Sequence, residues 1–186
     1  MDIIHRTYLA SEVAAATGAT PRDIQNWALR VMVGHRVGGG GGKGKRRQFS
    51  FNNLMEVAIA KAILDVGSRN VEAAFGAAAG FSHFSDGGSG WGGESPSAMR
   101  LPALPFHHNL GETRLLVNGD QGMTVLEAPR NAELSKEFGE LRAMRYLGNP
   151  PVYIVVNAST VFMEVCRRLG VDFRHVLDAA YPNEAS

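Results

Sequence analysis

Residues 9–31 read LASEVAAATGATPRDIQNWALRV, and the four in the middle, Gly18-Ala19-Thr20-Pro21, decide how the region folds. Upstream of them, 9–17 is rich in good helix formers, with Leu9, Val13 and Ala14 along one side. Gly18 suits the left-handed conformation that ends a helix. Thr20 can cap the next helix, and Pro21 fits a first helical position, where its missing N–H costs nothing. Two short helices joined by so brief a turn make a helix-turn-helix. In the second helix, a rotation of roughly 100° per residue gathers Ile24, Trp27, Ala28 and Val31 on one face. Arg22, Gln25, Asn26 and Leu29 fall on the other. Gln and Asn side chains can bond adenine in pairs, and Arg can bond guanine or phosphate, so this outer face has the chemistry of a major-groove reader. Arg30, at the helix end, joins Arg22, Gln25 and Asn26 as a candidate contact. The competing reading is a solvated amphipathic helix.

Downstream, residues 33–51 read VGHRVGGGGGKGKRRQFSF. Val33 and Val37 before the glycines, with Phe49 and Phe51 after them, suit two short strands. The expectation is therefore a β-hairpin wing with a mobile glycine tip. A loose tip lets cations adapt to a phosphate backbone, where charge matters more than shape. Arg36, Lys43, Lys45, Arg46 and Arg47 are the candidates for that role. Ser50 then caps a helix with Leu54, Val57, Ala58, Ile59, Ala62 and Ile63 on its apolar side. Gly67 stops it, and Ser68 is expected to cap a further helix over RNVEAAFGAAA.

This order of elements resembles the MerR-type winged helix-turn-helix DNA-binding domain over residues 7–76. The matching positions are Glu12-Val13, Thr17-Gly18, Ile24 and Trp27. Arg47-x-Phe49 stands for the family's Arg-x-Tyr step, Asn53-Leu54 for its Asp-Leu, and Gly67-Ser68 for its last turn. The resemblance implies double-stranded DNA as partner, with the second helix in the major groove and the wing on the backbone. There are departures. Gln25 replaces a frequent Arg, Asn26 a common aromatic, and Phe49 a Tyr, and the glycine stretch is long. No heptad repeat follows where the family places its dimerising coiled coil.

The whole chain has 186 residues, 45% of them hydrophobic, so it can bury a core. The net charge of +1 conceals an asymmetry. Residues 1–75 hold 10 Lys/Arg against 6 Asp/Glu, whereas 76–186 hold 9 against 12, which favours a polyanion partner for the first segment. The single cysteine, Cys166, excludes an intrachain disulfide and fits a reducing compartment. The start, MDIIHRTYLASEV, does not read as a secretory leader, and no apolar run has membrane-spanning length; a soluble, cytoplasmic protein is expected.

Residues 80–110 include the Gly/Ser-rich stretch GFSHFSDGGSGWGGESPS and read as a linker, with Phe81, Phe84 and Trp91 as possible tethers. Beyond it, RLLVNGDQGMTVLEA alternates as a hairpin, 132–148 reads as a helix weakened by Gly139, and VYIVVN as a strand. STVFMEVCRRLG and DFRHVLDAAY read as helices. The expected fold class is α+β: a winged helix-turn-helix domain over 1–79, the linker over 80–110, and a small mixed α+β domain over 111–186. The last is assigned to self-association, as a homo-oligomer, or to binding an effector that the sequence does not identify.

Other chemistry is weakly signalled. His83, His107, His108, His175 and Cys166 lack metal-ligand spacing, so no metal ligands are assigned. Cys166 sits among apolar neighbours, as a buried, inert thiol does. GGGGGKGK lacks the Gly-Lys-Ser/Thr of a phosphate loop. Ser159, at the start of a helix, reads as its cap rather than part of an anion site, and Glu133, Glu137 and Glu140 read as a solvated stripe. No nucleophile, base and oxyanion set emerges, so an enzyme is not expected and no cofactor is assigned. The leading expectation is a sequence-specific DNA-binding transcriptional regulator. The alternatives are an architectural DNA-binding protein of a phage or mobile element, excisionase-like or recognising packaging sites, and a protein-interaction adaptor.

Overall fold

A computed structural model describes residues 2–32, 47–85, 99–127 and 139–184. Strand β1 (Tyr8–Leu9) leads into α1 (Ala10–Thr17) and α2 (Pro21–Arg30). Glu12 reaches back to accept from the Leu9 N–H at 2.8 Å, closing the start of α1. Gly18, at φ +74°, ends the helix and donates its N–H to Ala14 O at 2.8 Å. Strand β2 (Gln48–Phe49) pairs antiparallel with β1, placing Tyr8 opposite Phe49. The expected wing is thereby altered on its described side. Phe51 is not in a strand; it opens α3 (Phe51–Asp65), because Ser50 caps that helix and accepts from the Asn53 N–H. The partner strand expected around Val33 and Val37 lies outside the described residues, as does the glycine run.

Helix α3 is apolar on nearly all sides, and ten of its 15 residues are buried, which makes it the central rod of the fold. Helix α4 (Val71–His83) packs along it. Its cap is Asn70, which accepts from the Ala73 N–H at 3.0 Å, not Ser68 as expected; Asx side chains cap at least as well, and Asn70 is the one in reach. The fully buried Glu56 of α3 meets His83 Nε2 of α4 at 2.9 Å.

The expected linker spans 80–110, yet residues 80–83 are the last turn of α4 and 100–107 are packed. Arg100 holds this segment and is fully buried. Its guanidinium donates to the carbonyl oxygens of Phe81, Leu101, Leu104 and Phe84 at 2.7–3.1 Å and lies over the Phe81 ring at 4.4 Å. Residues 86–98 lie outside the described residues.

Strands β3 (Glu112–Asn118) and β4 (Gln121–Glu127) form the expected hairpin, turning through Gly119-Asp120 with Gly119 at φ +62°. Strand β5 (Ile154–Asn157) adds antiparallel to β3, giving the order β4-β3-β5. Both faces of β3 are covered. Leu115 and Val117 enter the main core, while Leu116 joins Val125, Ala143 and Leu147 on the far face. That far cover is α5 (Glu140–Tyr146), with Gly139 at its N-cap. Residues 132–138 of the expected longer helix are outside the described residues.

Helices α6 (Ala158–Arg168) and α7 (Phe173–Ala180) complete the chain. The cap of α6 is Asn157, which accepts from the Thr160 N–H, and not Ser159. The Ser159 hydroxyl accepts instead from the Thr113 N–H at 2.9 Å, bracing β3. The main core cluster takes side chains from both halves of the chain: Ile24, Leu54 and Phe75 from one, Leu115, Phe162 and Leu177 from the other. Phe162 of α6 meets Phe51 of α3 edge-on, with ring centroids 6.4 Å apart. The described residues are thus mixed α+β, seven helices and two small antiparallel sheets, with no helix long and apolar enough to cross a membrane.

Candidate nucleic-acid interface

The geometry of α2 begins with its cap. Thr20 Oγ1 accepts from the Asp23 N–H at 3.1 Å and donates to Asp23 Oδ2 at 2.6 Å, while Pro21 takes the first helical position. Both features rest on the Gly18–Pro21 tetrapeptide. The helix is seated by Ile24 and Ala28, both fully buried, and by the half-buried Trp27, whose ring lies 5.3 Å from that of Phe75 in α4. This apolar stripe leaves Arg22, Gln25, Asn26, Leu29 and Arg30 exposed.

A turned-out face on a helix fixed by a packed stripe can enter a groove without first rearranging. Among the described residues, nothing from the second half of the chain covers this face. Arg47 is half-buried, immediately before β2. Through the β1–β2 pair, the segment leaving the basic stretch returns beside the start of α1. Arg36, Lys43, Lys45 and Arg46 fall outside the described residues.

Sequence reasoning missed one neighbour of the turn. Arg168, near the end of α6, lies so close to Gly18 that a Cβ built there would sit 2.8 Å from Arg168 Nη1. No local signal connects positions so far apart in the chain. Arg168 and Arg167 both bond Glu164, at 2.6 and 2.7 Å, and Arg167 first, then Arg168, hold that carboxyl down at about 2. Burial pushes the Tyr8 hydroxyl of β1 up to about 12, so it stays protonated and donates to Ile3 O. Burial likewise raises the Cys166 thiol to about 12, with Asp172 adding to the effect, as befits the inert thiol expected there.

Elsewhere, His107, His108 and Asp178 come together although the sequence offers only the His-His pair; Asp178 arrives from α7. His108 also borders a largely apolar cavity of about 310 Å³ walled by Phe106, Phe162, Phe173 and Leu177. No protein-family model and no curated protein matches this chain.

Proposed function

We propose that the protein is a sequence-specific regulator that binds double-stranded DNA, with α2 in the major groove and the basic stretch 43–47 on the backbone. The observation that carries this reading is the outward display of Arg22, Gln25 and Asn26 on a helix pinned from behind by Ile24, Ala28 and Trp27. Gln25 and Asn26 supply paired donor and acceptor groups for base edges, Arg22 and Arg30 supply charge, and exposed Leu29 suits a thymine methyl. Arg36, Lys43, Lys45, Arg46 and Arg47 would neutralise phosphates.

Pairing of two copies through the second half is supported by apolar side chains left in solvent between 141 and 155. Leu141 is 80% exposed, Val152 77% and Tyr146 62%. A mass measurement in solution, comparing wild type with Leu141→Glu, tests that pairing; a monomer in both would remove it.

Selection of tight-binding fragments from random duplexes, followed by anisotropy titrations across a salt series, tests the main reading. Gln25→Ala should relax base preference, with a loss of about 1–3 kcal/mol on the selected site. Arg46→Ala with Arg47→Ala should weaken binding to every sequence and reduce the salt slope by roughly 2. Failure to enrich any fragment at low salt, or both variants binding as wild type does, would exclude it.

A further inference from the structure

Outside α2, the segment between α4 and β3 carries a pair of adjacent histidines. His107 is fully buried there and His108 is half-buried beside it; their rings lie 4.2 Å apart, tilted by 36°. Asp178 of α7 reaches across to both. Its Oδ1 lies 3.0 Å from His107 Nε2 and 3.9 Å from His108 Nδ1. One donor atom from each of the three residues falls within 4.8 Å of the others. His108 Nδ1 is buried and has no hydrogen-bond partner among the described residues.

An unsatisfied buried imidazole nitrogen is costly and calls for an explanation. A buried imidazole nitrogen that faces a carboxylate and a second imidazole has the makings of a metal ligand.

We propose that His107 Nε2, His108 Nδ1 and Asp178 Oδ1 form a binding site for a divalent transition-metal ion of the zinc class. Two imidazoles and one carboxylate favour zinc, cobalt or nickel over the oxygen-seeking magnesium and calcium. On a tetrahedral ion with bonds of 2.0–2.1 Å, ligand atoms stand roughly 3.4 Å apart. The His107–Asp178 separation of 3.0 Å is already near that, and the 3.9 Å of the second pair asks for a small movement. Asp178 can make it, since its side chain is half-exposed. The half-buried His108 ring must turn to bring the two imidazole nitrogens, now within 4.8 Å, to the same spacing. Three protein ligands leave a coordination position for water.

Binding has one identifiable cost. His107 Nδ1 now accepts from the Asn109 N–H at 3.2 Å, so its proton sits on Nε2 and is donated to Asp178. The ion takes the place of that proton; the ring proton passes to Nδ1, and the Asn109 contact gives way. What the ion supplies in return is a clasp between the 105–110 segment and α7, so it should stabilise the folded chain by mass action.

The test uses the full-length protein, stripped with a chelator and titrated with Zn²⁺ by calorimetry and with Co²⁺ by visible absorption. The expected result is saturable binding of one ion per chain, the intense visible bands of four- or five-coordinate cobalt, and a Tm that rises with zinc. His108→Ala and Asp178→Asn should each weaken binding by roughly 10- to 100-fold or more, while His175→Ala, at an exposed histidine outside the cluster, should not. Zinc-induced shifts of the His107 and His108 ring signals in the wild-type protein provide a readout that needs no variant to fold. Absence of saturable binding by wild type, weak octahedral cobalt bands, or equal affinity in the His108 and Asp178 variants would overturn the proposal.

Discussion

Replacing Arg100 by Met should cost the protein about 3–5 kcal/mol, an expectation built bond by bond. Arg100 is fully buried, and its guanidinium donates to four carbonyl oxygens. The four do not count equally. Phe81 O also accepts from the Ala103 N–H and Leu101 O from the Leu104 N–H, so both keep a partner after the substitution. Phe84 is largely exposed, and water can take over at its oxygen. Leu104 O suffers most; leaving such a group buried and unmet costs about 1–3 kcal/mol. The bonds lost at Phe81 and Leu101 add about 1 kcal/mol each. Stacking on Phe81 adds up to about 1 more, while Met recovers part of the packing. Lys in the same place should lose less, since an ammonium can serve one or two of these oxygens but cannot span the set. Urea titrations of wild type, Arg100→Met and Arg100→Lys give the comparison, and hydrogen exchange over 99–110 localises it. A loss below about 1 kcal/mol for the Met variant, or unchanged exchange in that segment, would refute the reasoning.

Gly122→Ala should destabilise by about 1–3 kcal/mol in a thermal melt, because a Cβ there would stand 2.9 Å from Ala77 O and 3.1 Å from Leu115 Cδ1. Trp27→Ala should cost about 3 kcal/mol or somewhat less, since its ring is only half-buried on Phe75, and should weaken the proposed DNA binding through loss of α2 placement. Cys166 should resist alkylation at mildly alkaline pH in the native protein and react readily in denaturant. Its folded-state value of about 12 stands above the ordinary 9, so between those pH values the unfolded chain sheds a proton that the folded one keeps. Stability should therefore fall as pH rises through that window, and denaturant midpoints of Cys166→Ala should fall less steeply.

Helices α1 and α2 and the turn between them were legible because Gly18, Thr20 and Pro21 act through neighbours two or three residues away, and both caps form as their chemistry requires. The β3–β4 hairpin was legible for the same reason. What escaped depends on contacts across the chain. Arg100 looks like a linker charge until Phe81 and Leu104 surround it, and Ser159 looks like a cap until Thr113 claims its hydroxyl. Residues 99–107 read as connecting chain because they have no periodicity; their order comes from side chains meeting distant backbone, as when Tyr181 donates to Pro105 O and accepts from the Leu101 N–H. At α2, the sequence marked Arg22, Gln25, Asn26 and Leu29 as the outer face, with Arg30 at the helix end, and all are exposed there. It gave no hint of Arg168 beside the turn or of Asp178 beside the two histidines.

The edge-on meeting of Phe51 and Phe162 bears on how this chain can be cut and rejoined. The helix carrying Phe51 packs against α1 and α4, yet part of its surface is closed by the much later helix that carries Phe162. A fragment ending near residue 85 would open that seam to water, so the N-terminal helices are not a cassette to transplant onto another protein. During synthesis, too, the ribosome must deliver α6 before this rod is sealed.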